Sequence, residues 1–268
     1  MLLHLQAHGS DSRPLVVLPP FGFDHTAMAA AIEPVVTDSS GWRRLYVDLP
    51  GTGDSPAHIA PRSDAVLNAV IGTIRAELHG RRFALLGWSY GGYLAAGVTR
   101  RLPDQVAGLL MVCTGFKIHP RDRDLSGVLA SNPHPGWLDQ VPSHLRQHFT
   151  QAVGLQTREV AGRIVASLDV NAPSDDAYLA LLRADGFALS DEDAVTPCNA
   201  PVFFVAGKRD RVVGYKSLFD SPDNYDYASY TCISSAGHYL PLEQPAIFAA
   251  IIGGWLEQCK AFLDPSND

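Results

Sequence analysis

Gly87-Trp88-Ser89-Tyr90-Gly91 places a serine between two glycines, just after the apolar run Phe83 to Leu86 and just before a segment of helical periodicity. A strand-to-helix turn that sharp leaves no room for Cβ atoms on either side of the serine. It projects the hydroxyl at the strand's C-terminal end, where the following helix aims its N–H groups and its positive dipole end. A serine hydroxyl is a weak nucleophile at neutral pH, so it needs a base, and the base needs an orienting acid. Of the ten histidines, His238 follows the last apolar strand, in Ser-Ser-Ala-Gly-His-Tyr-Leu, and precedes the last helix. Sheet topology brings that loop to the same edge as Ser89. His25 and His58, also in loops after strands, are the alternatives. Asp210, in Ala-Gly-Lys-Arg-Asp-Arg-Val-Val just past the fifth apolar strand, is the candidate acid, and a mere helix cap is its bland alternative. The 28 residues from Asp210 to His238 leave room for a crossover helix and a strand. Asp220, Asp223 and Asp226 read better as solvated turn residues.

Acyl transfer also needs donors for the developing oxyanion. One is the backbone N–H of Tyr90. The other comes from the loop Leu18-Pro19-Pro20-Phe21-Gly22-Phe23, where the prolines have no N–H and Phe21 is the first residue able to donate. Trp88, Tyr90, Trp137, Phe149 and Phe187 are candidates for an apolar acyl pocket. His144 and His148 have i, i+4 spacing but no accompanying carboxylate motif, so no metal is expected there.

Short apolar runs position these groups: Leu15 to Leu18, Arg44 to Leu49, Phe83 to Leu86, Ala107 to Cys113, Val202 to Ala206 and, more weakly, Tyr230 to Ser234. The first eight residues partly alternate, as an edge strand does. Helical spacing predicts helices from Ser63 to Leu78, from Tyr90 to Arg101 and from Pro245 to Phe262. Alternating strands and helices, with nearly continuous apolar strands, predict an α/β fold: a mostly parallel sheet covered on both faces. Residues 120–195 break the rhythm with helix-like pieces at 123–131, 143–153, 155–168 and 174–184. They read as a helical cap or lid inserted between 1–119 and 196–268, or as a second helical layer that merely packs.

The 268 residues suffice for one large domain with an insertion. A net charge of −7 without any long like-charge run argues against nucleic acid and anionic membrane as partners. Four dispersed cysteines, no basic leader and no stretch near 18 apolar residues predict a reduced, cytoplasmic protein without a spanning helix.

The motifs LVVLPPFGFDHTAM, YVDLPGTGDS, GWSYGG, AGKRDRVV and SAGHYLPLEQP occur in that order, and with them the chain resembles the α/β-hydrolase superfamily over nearly its whole length, more narrowly small bacterial capped hydrolases of unassigned substrate. Pro19-Pro20 departs from the His-Gly that many members carry. The resemblance implies Ser89, Asp210 and His238 as a triad, Phe21 and Tyr90 as oxyanion donors, and no cofactor or metal. The expected function is hydrolysis of a small carboxylic ester through an acyl-enzyme. A thioesterase, an aminopeptidase or amidase, or a ligand receptor that keeps the triad are the rivals. Residues 120–195 hold eleven Asp and Glu against six Arg. A solvated acidic face over a neutral apolar pocket is expected, and a carboxylate in the pocket, holding a substrate ammonium, is the competing case.

Overall fold

The computed structural model describes residues 2–10, 12–36 and 41–263. Seven strands form one sheet: β1 (Leu5–His8), β2 (Arg13–Leu18), β3 (Trp42–Val47), β4 (Phe83–Trp88), β5 (Val106–Val112), β6 (Val202–Gly207) and β7 (Ala228–Ile233). Their spatial order is β1-β3-β2-β4-β5-β6-β7. Only β1 runs antiparallel, against β3; every other pairing is parallel. β4 and β5 carry no polar side chain, and β2 none after Arg13, because both faces are covered. Val16, Leu18, Leu85 and Met111 point into one core, and their neighbours Val17, Leu86, Leu110 and Val112 into the other. Helices α2 (Ser63–Leu78) and α3 (Tyr90–Arg101) cover the first face, while α1 (His25–Ile32) and α8 (Pro245–Leu263) cover the second.

Between β5 and β6 lie α4 (Arg146–Ala152), α5 (Arg158–Asp169) and α6 (Asp176–Asp185). The helix expected over 123–131 does not form. A 3-10 turn spans Pro120–Asp122, the Asp124 carboxylate takes the Ser126 N–H at 2.8 Å, and the Leu129 N–H pairs with the Lys208 carbonyl. An Asp that bonds the backbone two residues on competes with helix formation. Nor does a crossover helix separate β6 from β7. That stretch holds only a 3-10 turn at Ser221–Asn224, where Ser-Pro-Asp-Asn favours a turn. Helix α1 falls outside the predicted set. Its sequence, HTAMAAAI, has little periodicity, and its start is fixed by Asp24, whose side chain accepts the Ala27 N–H.

Against expectation, α8 is long and apolar enough, by length and composition, to cross a membrane. In the fold it packs onto β4 and β5 through Phe248, Ile252, Trp255, Leu256 and Cys259. Much of its other side is small Ala and Gly.

Candidate active site

Ser89 occupies the single residue between β4 and α3, with φ 54° and ψ −119°. A serine at positive φ is strained, at a cost of about 1–3 kcal/mol, and the turn holds it there through its N–H bond to the Val112 carbonyl at 2.8 Å. The flanking glycines are required by contact: a Cβ on Gly87 would sit 2.3 Å from the Gly91 carbonyl oxygen, and one on Gly91 would sit 2.2 Å from that of Leu18. The second close approach seats α3 against the end of β2, and so beside the Pro19–Phe23 loop.

His238 Nε2 lies 2.9 Å from Ser89 Oγ, and His238 Nδ1 lies 2.8 Å from Asp210 Oδ2. With the proton on Nδ1, the ring donates to the carboxylate and offers Nε2 to the serine hydroxyl. Asp210 is fully buried, and its other oxygen accepts the N–H groups of Val212 and Val213 at 2.7 and 3.0 Å. Its carboxylate is thereby aimed at the ring. His25 points elsewhere, with Nδ1 2.8 Å from Asp48 Oδ2, and His58 is exposed. Asp220, Asp223 and Asp226 are exposed turn residues.

Glu243, in α7 (Leu240–Glu243), escapes sequence reasoning. It is buried, and its carboxylate accepts N–H groups from Gly154, Leu155, Gly237 and Tyr239 at 2.8 to 3.1 Å. Burial pushes this carboxyl up to about 7, against the pull of those donors. It braces the histidine loop to the segment after α4. The His238 N–H also bonds the Ala152 carbonyl, and the His238 carbonyl accepts the Trp88 indole N–H at 2.9 Å. An acid amid Leu-Pro-Leu, five residues past a candidate histidine, was the available signal.

The Phe21 loop is clamped as well. Asn171 Nδ2 donates to the Gly22 carbonyl at 3.0 Å, Phe23 N–H bonds Pro20, and Asp24 takes the Ala172 N–H at 2.6 Å. Among the described residues, neither the Phe21 nor the Tyr90 N–H is given to a protein acceptor. Both residues line a cavity of about 370 Å³ that opens over Ser89 and His238.

Trp88 and Phe187 line that cavity, as expected, together with Phe23 and Tyr239. Trp137 and Phe149 do not. Both are buried in the core on the α8 side of the sheet, where Trp137 joins a cluster with Val160 and Ile164, and Phe149 packs on Tyr239 from behind. Phe149 lies on the buried side of α4 and Trp137 in the turn that precedes it, and aromatic type alone does not separate core from pocket. Among the described residues no Asp or Glu lines the cavity, but Arg123, Arg183 and His148 do. The acid-rich composition of 120–195 therefore does not reach the pocket. Burial lowers the His148 imidazole below its ordinary value, helped by the charges of His238 and Arg183.

His144 is exposed, and His148 Nε2 meets the Tyr239 hydroxyl at 3.1 Å. A different group, His4, His25, Asp48 and Asp54, places its potential ligand atoms within 4.8 Å of one another. Both histidines point Nδ1 at the same Asp48 oxygen, which also receives the Asp54 N–H, so these bonds already tie β1 and α1 to the turn after β3.

Known proteins share this fold. The family model described as "Alpha/beta hydrolase family" matches residues 8–251. A pimeloyl-[acyl-carrier protein] methyl ester esterase from Sodalis glossinidius is 35% identical over 159 residues, covering 58% of this chain and 56% of that protein. A 2-succinyl-6-hydroxy-2,4-cyclohexadiene-1-carboxylate synthase from Serratia proteamaculans is 26% identical, over 80% of this chain and 83% of that protein. In its first matches the chain spans about half the length of the curated relatives. Among solved structures, an alpha/beta superfamily hydrolase from Oenococcus oeni superposes with a TM-score of 0.84 at 23% identity, covering 97% of this chain and 98% of that one.

Proposed function

The chain belongs to the alpha/beta hydrolase family, and from that premise we propose that it hydrolyses a carboxylic ester through an acyl-enzyme on Ser89. The observation that carries this reading is the relay from Ser89 Oγ to His238 Nε2 at 2.9 Å, and from His238 Nδ1 to Asp210 at 2.8 Å, at the floor of one cavity. Ser89 Oγ attacks the ester carbonyl carbon while His238 Nε2 takes its proton. Asp210 stabilises the imidazolium and stays ionised. The N–H groups of Phe21 and Tyr90 receive the carbonyl oxygen as it becomes an oxyanion. The intermediate collapses, His238 returns the proton to the departing alcohol, and an acyl group remains on Ser89. Water, deprotonated by the same histidine, then releases the acid.

The neighbours named as esterases support the reaction class, and the methyl ester in one relative's name points to a small alcohol as leaving group. Residues 120–195 act as the cap over a core of 1–119 and 196–268, since Arg123, His148, Arg183 and Phe187 from that segment wall the cavity. With no carboxylate lining the pocket among the described residues, a substrate ammonium meets no partner there, so an ester is favoured over an aminoacyl amide. The four cysteines are free thiols, in keeping with the reducing cytoplasm as its location.

The test is turnover of a panel of short acyl methyl esters, matched thioesters and aminoacyl amides by the wild type and Ser89→Ala. Ester turnover exceeding amide turnover, and falling by several orders of magnitude in the variant, is the expected result. Amide turnover above that of the matched ester would overturn the choice of ester, because the amide is intrinsically the harder bond.

A further inference from the structure

The cavity above Ser89 carries positive charge that no ion pair among the described residues takes up. Arg123 and Arg183 both line it, and among the described residues neither meets a carboxylate. Elsewhere in the same segment Arg158 is paired with Asp139 and Arg163 with Glu159. Lys117, at the cavity edge, is paired with Asp193 and Glu192. Among the described residues the two pocket arginines form no such ion pair, and the acid that acts on Arg123, Asp210, is itself bonded to His238 and to two backbone N–H groups.

Each is held in place by other means. Arg123 is half-buried and donates to the Val212 and Ile118 carbonyls at 2.7 and 2.9 Å. That fixes the guanidinium and leaves further N–H groups unspent. The Arg183 guanidinium lies over the Phe21 ring, 4.4 Å from its centroid. Phe21 in turn packs edge-on against Tyr90 and Phe187, with ring centres 5.5 Å apart in both cases. Arg183 therefore stands on a fixed platform, the ring of the same residue whose N–H we propose as the second oxyanion donor. Burial lowers both guanidinium pKa values from their ordinary range; at Arg123 the charge of Asp210 pulls back upward, and that of Arg183 adds to the lowering. Both guanidinium groups face the one cavity, so an oxyanion bound there meets two positive charges.

We infer that the substrate ester carries a second, remote oxyanion group, a carboxylate or a phosphate, received by Arg123 and Arg183 while its ester carbonyl lies at Ser89. The ester half of this statement rests on the hydrolase reading above. The anion half rests on the two arginines alone. Guanidinium forks match the paired oxygens of either group, and such charge-assisted bonds are among the strongest available to a pocket. A neutral acyl chain of the same length would leave both charges uncompensated.

Two measurements separate the halves. The first compares kcat/KM for the monomethyl ester of adipic acid, for a methyl ester of similar length ending in a phosphate, and for neutral methyl hexanoate. At least one anionic ester should lead the neutral one by roughly tenfold or more, and the better of the two identifies the anion. In Arg123→Gln and Arg183→Gln the anionic-to-neutral ratio should fall about tenfold. Taking the ratio within each variant cancels any general loss of activity. Should Arg123→Gln fail to fold, Arg183→Gln suffices, because that side chain makes no hydrogen bond to the fold among the described residues. A wild-type preference for methyl hexanoate, or a ratio that survives both substitutions, overturns the inference.

The second measurement is calorimetric titration of adipate, and of the phosphate-terminated acid, into Ser89→Ala protein with and without Arg183→Gln. Binding that depends on Arg183 supports the anion subsite even if no ester is turned over, in which case the hydrolase reading fails and the subsite stands. Turnover of neutral esters without any arginine-dependent anion binding overturns the subsite and leaves the hydrolase reading standing.

Discussion

At the residue scale the chemistry turns on which atoms are held and by what. Asp210 spends one oxygen on two backbone N–H groups and the other on His238, so its orientation is fixed before any substrate arrives. Replacing Asp210 by Asn keeps the shape but puts an amide where an acceptor is needed, favouring the wrong imidazole tautomer. Steady-state kinetics should show turnover reduced by about 10⁴ with the fold intact. The Phe21 contribution is of another kind, since the donor belongs to the backbone. Phe21→Ala should keep the donor, while Phe21→Pro deletes it and should lower kcat by about 10²–10³. A proline variant with turnover equal to that of the alanine variant would show that Phe21 N–H does not meet the oxyanion. The meeting of Ser89, His238 and Asp210 was legible in the sequence, because each follows the end of an apolar strand, and so was the placing of Phe21 and Tyr90 at the same cavity. Arg123 and Arg183 were not. Eleven acids in the segment masked two cations, and composition does not say which face a side chain takes.

At the element scale the short helix α7 does more than its length suggests. Glu243 gathers backbone N–H groups from its own loop and from the chain after α4, so two stretches far apart in sequence share one carboxylate. Glu243→Gln replaces an acceptor with a group that also donates, and should cost about 2–4 kcal/mol in denaturant unfolding. The pH dependence has a definite sign. Its folded carboxyl titrates near 7 against about 4.5 for the unfolded chain, so between those values the unfolded state releases its proton first. The stability this group contributes is therefore present below about 4.5 and is lost as pH rises through 7, by on the order of 3 kcal/mol. The stability gap between wild type and Glu243→Gln should narrow across that window; a gap that widens would contradict this linkage. Helices α2, α3 and α8 were readable because apolar residues recur with helical spacing and Pro245 opens the last one. Helix α1 was not, since an alanine-rich stretch has no contrast between faces. The absent helix at 123–131 failed for a local reason, the Asp124 turn, that periodicity does not weigh.

At the scale of the whole molecule, a parallel sheet brings the C-terminal ends of β2, β4, β6 and β7 to one edge. Four loops far apart in sequence thereby deliver Phe21, Ser89, Asp210 and His238 to one spot. That convergence was legible from the alternation of apolar strands and helices, because parallel strands with covered faces leave only one edge for the loops that follow them. The pocket wall was half legible: Trp88 and Phe187 reach it, while Trp137 and Phe149 serve the core beneath. The relay should make Ser89 a nucleophile that carries an acyl group between two half-reactions. The sharpest check is intact-mass spectrometry of the protein acid-quenched during turnover of an activated acetyl ester, followed by peptide mapping. A single added acetyl group, located on Ser89 and absent from Ser89→Ala, is the predicted result. Hydrolysis that proceeds with Ser89 unmodified, or with the acetyl group on another residue, would contradict it.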